Sequence, residues 1–208
     1  MISVLVANMK GGAGKTTIAT NLAAAFACNG LSTALADGDR QGSSLRWGKA
    51  RPSSAAPVAL LDWTRALEQA PRGTARLVID SPAAMRATRI EELVARADVI
   101  VVPVVPSVFD QDTTAKFLGK LTAIKPVRKG KRPFALVQNR VRKRSRATEQ
   151  LEAFISSLEC HAVGRVPDRA IYPELAAEGR GVFDVTGARG APLRSDWLEI
   201  LDFIEESA

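Results

Sequence analysis

The stretch ISVLVANMKGGAGKTT, from Ile2 to Thr17, decides the fold. Its first six residues form an apolar run of the length expected for one buried strand. Its last residues open the Ala-rich run Thr16–Asn29, which has the composition of a helix. Between them lie Lys10, Gly11, Gly12, Ala13, Gly14, Lys15, Thr16 and Thr17. Glycines let consecutive backbone N–H groups turn inward as a nest for an anion. A helix that starts there adds the positive end of its dipole. Lys15 then supplies a point charge for the terminal phosphates, and the Thr16 hydroxyl a ligand for Mg²⁺. The general phosphate-loop spacing would place its first glycine at Met9, so that pattern fails. The shorter form KGGxGKTT is met in full.

Outward from this stretch, short apolar runs alternate with helical patterns. Ser32–Ala36, Ala75–Ile79, Val99–Pro103 and Phe134–Gln138 read as further strands, continuous enough in apolar residues to be buried on both faces. Glu91–Ala97, Thr113–Ile124, Ala147–Leu158 and Asp196–Ile204 have helical spacing. The alternation predicts an α/β fold, a doubly wound and mostly parallel sheet with helices on both faces. It also predicts one domain over residues 1–208, with Arg51–Pro57 as its most loop-like stretch. No apolar run reaches the ~18 residues of a membrane span. Cys28 and Cys160 form no CxxC pair and read as reduced thiols of a cytoplasmic protein.

Ligands on such sheets bind beyond the carboxyl ends of the strands, and there the chain is rich in chemistry. The second strand runs into Asp37, Gly38 and Asp39; two carboxylates at that spacing can face one edge of a nucleotide site. One could orient a water or hold Mg²⁺, which makes Asp39 a candidate for both roles. The third strand closes in Asp80, placed to accept from a Mg²⁺-bound water or from Thr16. The fourth leads through PVVPS to Ser107 and Asp110, where helix capping and a direct role are equally open. The fifth ends in Asn139 and Arg140, and an Asn there can both donate to and accept from an adenine edge.

KGGAGKTT resembles the deviant Walker A motif of the ParA/MinD family of ATPases, closest to the small stand-alone partition ATPases. Asp37–Gln41 resembles that family's DxDPQ segment, with Arg40 where proline is usual. Asp80-Ser81-Pro82 is similar to its hhhDTP ending, and Val166-Pro167-Asp168-Arg169 to the segment that closes over adenine. The resemblance spans roughly residues 1–183. It implies ATP and Mg²⁺ as cofactors and an ATP-dependent sandwich dimer in which Lys10 reaches the partner's nucleotide. It implies Asp39 at the hydrolytic water, Asn139 on the base, and backbone groups of Pro167 and Asp168 closing the pocket. Hydrolysis would be slow and stimulated by a ParB-like or cargo-adaptor partner. The chain begins directly at its first strand, so no helix-turn-helix extension is expected.

The net charge of +7 is unevenly placed. Between Thr113 and Thr148 there are 12 Lys or Arg and no Asp or Glu; the remaining 172 residues carry 17 basic and 22 acidic groups. Concentrated charge points to an anionic partner. Lys129, Lys131 and Arg132 precede the fifth strand; Arg140, Arg142, Lys143, Arg144 and Arg146 follow it. Without interleaved aromatics, these residues suit phosphate contacts and nonspecific DNA binding. The two clusters lie at opposite ends of one strand and need not form one patch. The expectation is a nucleoid-associated ATPase that partitions a plasmid or chromosome or positions a cargo. Two alternatives are a MinD-like membrane ATPase and a nucleotide-binding scaffold with little hydrolysis. The first is disfavoured because the tail Asp196–Ala208 has five acids and no Lys or Arg. The second is disfavoured by intact Lys15, Thr16, Asp39 and Asp80. A redox role like that of the nitrogenase iron protein would need paired cluster cysteines, and Cys28 and Cys160 sit in neither expected place.

Overall fold

The computed structural model describes residues 1–158 and 160–208, with the side chains of Val108 and Phe109 outside the description. Seven parallel strands form one sheet in the order β3-β2-β4-β1-β5-β6-β7. The strands are β1 (Ile2–Val6), β2 (Thr33–Asp37), β3 (Val58–Asp62), β4 (Arg76–Asp80), β5 (Val99–Val104), β6 (Phe134–Val141) and β7 (Ala162–Pro167). Helices α1 (Lys15–Cys28), α2 (Ser43–Ala50), α3 (Ala87–Arg96), α4 (Val108–Ala123), α5 (Lys125–Arg128), α6 (Arg146–Ser157), α7 (Ile171–Ala177), α8 (Ala191–Ser195) and α9 (Leu198–Glu206) connect and cover them.

Period-2 alternation sends neighbouring residues of each strand to opposite faces. Val4 and Val6 of β1 join one core with Ile18 and Leu22 of α1 and with Trp197 and Ile200 near the C-terminus. Leu5 and Ala7 join the other, with Leu93 of α3 and Phe117 of α4. Covering on both faces explains why the central strands are apolar throughout. The five strands read from the sequence are all present. The two read as no strand are β3 and β7, the edges of the sheet.

Strand β1 sits at the switch point: the chain passes from β1 to β2, β3 and β4 on one side, then returns past it to β5, β6 and β7. Such a point opens a crevice at the carboxyl ends. The register puts Asp80 level with Val6 and Asp37 level with Asp80. The phosphate loop and both carboxylate-bearing ends therefore meet on one edge.

Residues 125–132 precede β6 and lie at the opposite edge, where Arg132 sits 3.7 Å from Asp98 and Asp98 accepts from the Ser3 hydroxyl at 2.6 Å. The structure thus separates Lys129, Lys131 and Arg132 from Arg140, Arg142, Lys143, Arg144 and Arg146, and the eight do not form one surface.

Candidate functional site

Gly14 takes φ +85°, open to glycine at no steric cost, and a Cβ there would come within 2.0 Å of Asn139 Nδ2. Asn139 Nδ2 donates to the Ala13 carbonyl at 2.9 Å, and its Oδ1 accepts from the Arg140 N–H at 3.0 Å. Asn139, read from the sequence as an adenine contact, thus also ties the phosphate loop to β6. At the other end of the loop, Asn8 Oδ1 accepts from the Lys10 N–H at 3.1 Å while its amide donates to Pro103 O at 2.9 Å. Asn8 was not singled out from the sequence, since nothing local says which carbonyl it will meet.

The loop delivers α1 with Gly14 as its left-handed N-cap and no acid in its first turn. Its N-terminal N–H groups and dipole thus face the crevice with no carboxylate of their own to compete with an anion. Lys15 is 7% exposed and its Nζ donates to the Lys10 carbonyl at 3.1 Å. Burial pushes its pKa down, against the opposing pull of Asp80 and Asp39. The Lys10 ammonium lies 2.9 Å from Asp110 Oδ1, so within one chain it is held by the first turn of α4. Asp110 is therefore an ion-pair partner and not a helix cap.

Asp80 is 1% exposed, and its Oδ2 accepts from the Thr16 and Ser44 hydroxyls, each at 2.8 Å. Ser44, in the first turn of α2, had no sequence signal beyond following the Asp39 loop. Burial is the main cause that raises the Asp80 pKa to about 6, with the two hydroxyls pulling the other way. Its Oδ1 is buried and without a hydrogen-bond partner among the described residues. A buried acceptor left unpaired is costly, and a cation or its water would satisfy it. With the Thr16 hydroxyl beside it, the donor set is all oxygen, as Mg²⁺ requires; Mg²⁺ commonly takes few protein ligands and its remainder from phosphates and water. The residues fit the ion: Thr16 and Asp80 would hold it, and Asp39 stands at the same cavity. Bound there with nucleotide, it would neutralise charge developing on the phosphates.

The two aspartates after β2 have parted roles. Asp37 is 1% exposed and accepts the N–H groups of Asp39 and Leu45, each at 3.0 Å. It shapes the loop, while burial raises its pKa. Asp39 lines a cavity of about 250 Å³ with Gly11, Gly12, Lys15, Thr16 and Thr17. Behind it, α2 is bolted down: Trp47 Nε1 donates to Arg180 O at 3.0 Å, and Arg51 forks onto Asp184 at 2.9 and 2.8 Å with both side chains 5% exposed. Burial would raise the Asp184 pKa, but the Arg51 guanidinium overrides it and holds the carboxyl below its usual range.

A second cavity, about 550 Å³, adjoins the first, with Thr17 and Arg140 on both walls. Asn139, Pro167, Asp168 and Tyr172 also line it. Phosphate-side and base-side cavities joined at the start of α1 suit a nucleotide laid across the carboxyl ends of β1 and β6. Of the residues read as phosphate-binding, Gly11, Gly12, Gly14, Lys15, Thr16 and Thr17 line the first cavity while Ala13 is buried behind them, and Asn139, Pro167 and Asp168 line the second. Arg140, read as a DNA contact, borders both.

The chain has relatives among known proteins. Residues 4–182 match the family described as CobQ/CobB/MinD/ParA nucleotide binding domain. The chain is 30% identical over 207 residues to maintenance of carboxysome distribution protein A of Halothiobacillus neapolitanus, covering 96% of this chain and 94% of that one. The MinC:MinD cell division protein complex of Aquifex aeolicus superposes with a TM-score of 0.78 at 16% identity, over 100% of this chain and 97% of that one. The apo McdA structure of Cyanothece does so at 0.73 and 14% identity, over 100% and 99%.

Proposed function

The chain belongs to the CobQ/CobB/MinD/ParA nucleotide binding domain family, and from that premise we propose that it is a Mg²⁺-dependent ATPase that positions a cargo on DNA. ATP seats across the two cavities, Lys15 meets its terminal phosphates and Thr16 with Asp80 hold the ion. The single observation that carries this reading is the buried Thr16–Asp80 pair with an unpartnered carboxylate oxygen beside Lys15. Asp39 orients the attacking water, and Lys10 crosses to the nucleotide of a second copy in a sandwich dimer. Because Lys10 is ion-paired to Asp110 in the single chain, it must leave that carboxylate to do so.

The dimer binds DNA nonspecifically through the loop after β6, and a partner protein that stimulates hydrolysis releases it. The cargo reading rests on the relative whose name is maintenance of carboxysome distribution protein A. Among the described residues no helix is long and apolar enough to cross a membrane, and the acidic α9 does not suit an anionic lipid surface.

Size measurement and DNA co-sedimentation with ATP, ADP or no nucleotide test the scheme. Wild type should dimerise and sediment with DNA only with ATP, and Lys15→Gln should do neither. A dimer that forms equally without ATP would refute it.

A further inference from the structure

Two residues that the sequence assigned to different ligands meet in the structure. Arg142 lies in the basic loop that the sequence assigns to DNA, and Asp168 in the segment over adenine. Arg142 Nε donates to Asp168 Oδ2 at 2.7 Å, and its Nη2 approaches the same oxygen. The two are 26 residues apart, and both line the base-side cavity.

The contact is built, not incidental. The Arg142 backbone is fixed from both sides by Thr148, whose Oγ1 accepts from its N–H at 3.2 Å and donates to its carbonyl at 3.1 Å. The Asp168 N–H donates to Val141 O at 2.9 Å, carrying the β6–β7 pairing one residue past the end of β7. On its far side, the neighbouring Arg169 lies 2.8 Å from Asp196, a charge contact outside hydrogen-bond geometry. The segment Pro167–Arg169 is thus held between two ion pairs, one from the loop after β6 and one from the turn before α9. It forms part of the wall of the base-side cavity.

We propose that Arg142 is a positioning residue of the nucleotide site: through Asp168 it holds the segment that closes over the base, and it is not one of the DNA phosphate contacts. The proposal rests on the ATP-binding reading above. A guanidinium committed to a carboxylate is withdrawn from the phosphates, whereas Lys143 and Arg144 in the same loop have no ion-pair or hydrogen-bond partner for their side chains among the described residues. The positive charge of this loop then serves two ligands. Arg142 retains nucleotide, and its neighbours meet the anionic polymer.

The test uses the full chain and a fluorescent ATP analogue. Arg142→Ala should release the analogue about two- to fivefold faster, the range of an exposed ion pair. Asp168→Asn should match it, Arg142→Lys should restore part of the loss, and the exchanged pair Arg142→Asp with Asp168→Arg should restore more. Melting temperature, read in parallel, should stay near wild type, which separates a local change from misfolding. In DNA binding at saturating ATP, the slope of log affinity against log salt should be unchanged in Arg142→Ala. A slope lowered by about one, as for loss of one phosphate contact, overturns the assignment, and so does an unchanged release rate. If wild type itself does not bind the analogue, the ATPase reading fails, a result distinct from either.

Discussion

On the phosphate side, Lys15 and Asp80 are 7% and 1% exposed, Lys15 bonded to the Lys10 carbonyl and Asp80 to the hydroxyls of Thr16 and Ser44. On the base side, the Arg142 side chain is 75% exposed and that of Asp168 33%. The phosphate side thus keeps its charges in the core, while the charged pair of the base side lies at the surface. The contrast follows from what each half must hold. A polyphosphate needs fixed charges and aligned N–H groups in a low-dielectric wall, where each counts for more. A base needs a shaped apolar slot that can open, and exposed contacts are cheap to break.

Three substitutions test this contrast. The largest effect is expected from Gly14→Ala. The backbone is left-handed there, and the new methyl group would meet the Asn139 amide. Strain plus the lost Asn139–Ala13 hydrogen bond should cost about 2–5 kcal/mol. ATP affinity, measured by titration calorimetry, should fall by one to three orders of magnitude. Wild-type affinity would show that the buried half is more pliant than its packing indicates.

Asp80→Asn comes next. The Asp80 pKa is raised to about 6 from an ordinary 3.8, so ionising it costs stability in the folded chain. That penalty is full above about pH 6 and disappears as pH falls toward 4, where the folded state binds the extra proton. With Mg²⁺ chelated, Asp80→Asn should melt higher than wild type at pH 7 by the equivalent of up to about 3 kcal/mol, and the gap should close by pH 4. With Mg²⁺ and ATP the order should reverse, because a charged carboxylate holds the ion better than a neutral amide. A variant that melts below wild type at pH 7 in chelator would remove the case for an uncompensated buried charge.

The smallest effect is expected from Lys143→Ala with Arg144→Ala. ATP affinity should stay unchanged, and the salt slope of DNA binding should drop by about two, one per phosphate contact. If nucleotide affinity fell instead, the whole loop, and not Arg142 alone, would belong to the base side.

How much was legible in the sequence follows the same divide. The strands β1, β2, β4, β5 and β6 were readable because burial on both faces demands uninterrupted apolar residues. The edge strands were not: β3 is a five-residue run with one buried position, Leu61, following the loop-like stretch Arg51–Pro57, and β7 is interrupted by Gly164 and Arg165. Their pairing with β2 and β6 marks them as strands. Lys15, Thr16 and Asp80 stood out because a glycine loop and a strand end leave few other uses for those residue types, and the structure brings the three together. Ser44, Asn8 and Arg51 were not, since a serine, an asparagine or an arginine is common anywhere and acquires its role from a partner that folding supplies.

The parallel sheet, the glycine loop and the aspartates at the strand ends could be read from local sequence. There the backbone's own needs, a nest of N–H groups and strands buried on both faces, constrain neighbouring residues directly. Only the tertiary structure decided that Asn139 braces the loop, that Asp37 shapes while Asp39 faces the cavity, and that the basic segment splits across two edges of the sheet. It also decided that Arg142 turns to Asp168. Each of these depends on which side chain stands opposite across a strand or a turn, and that is fixed by register and packing between segments tens of residues apart.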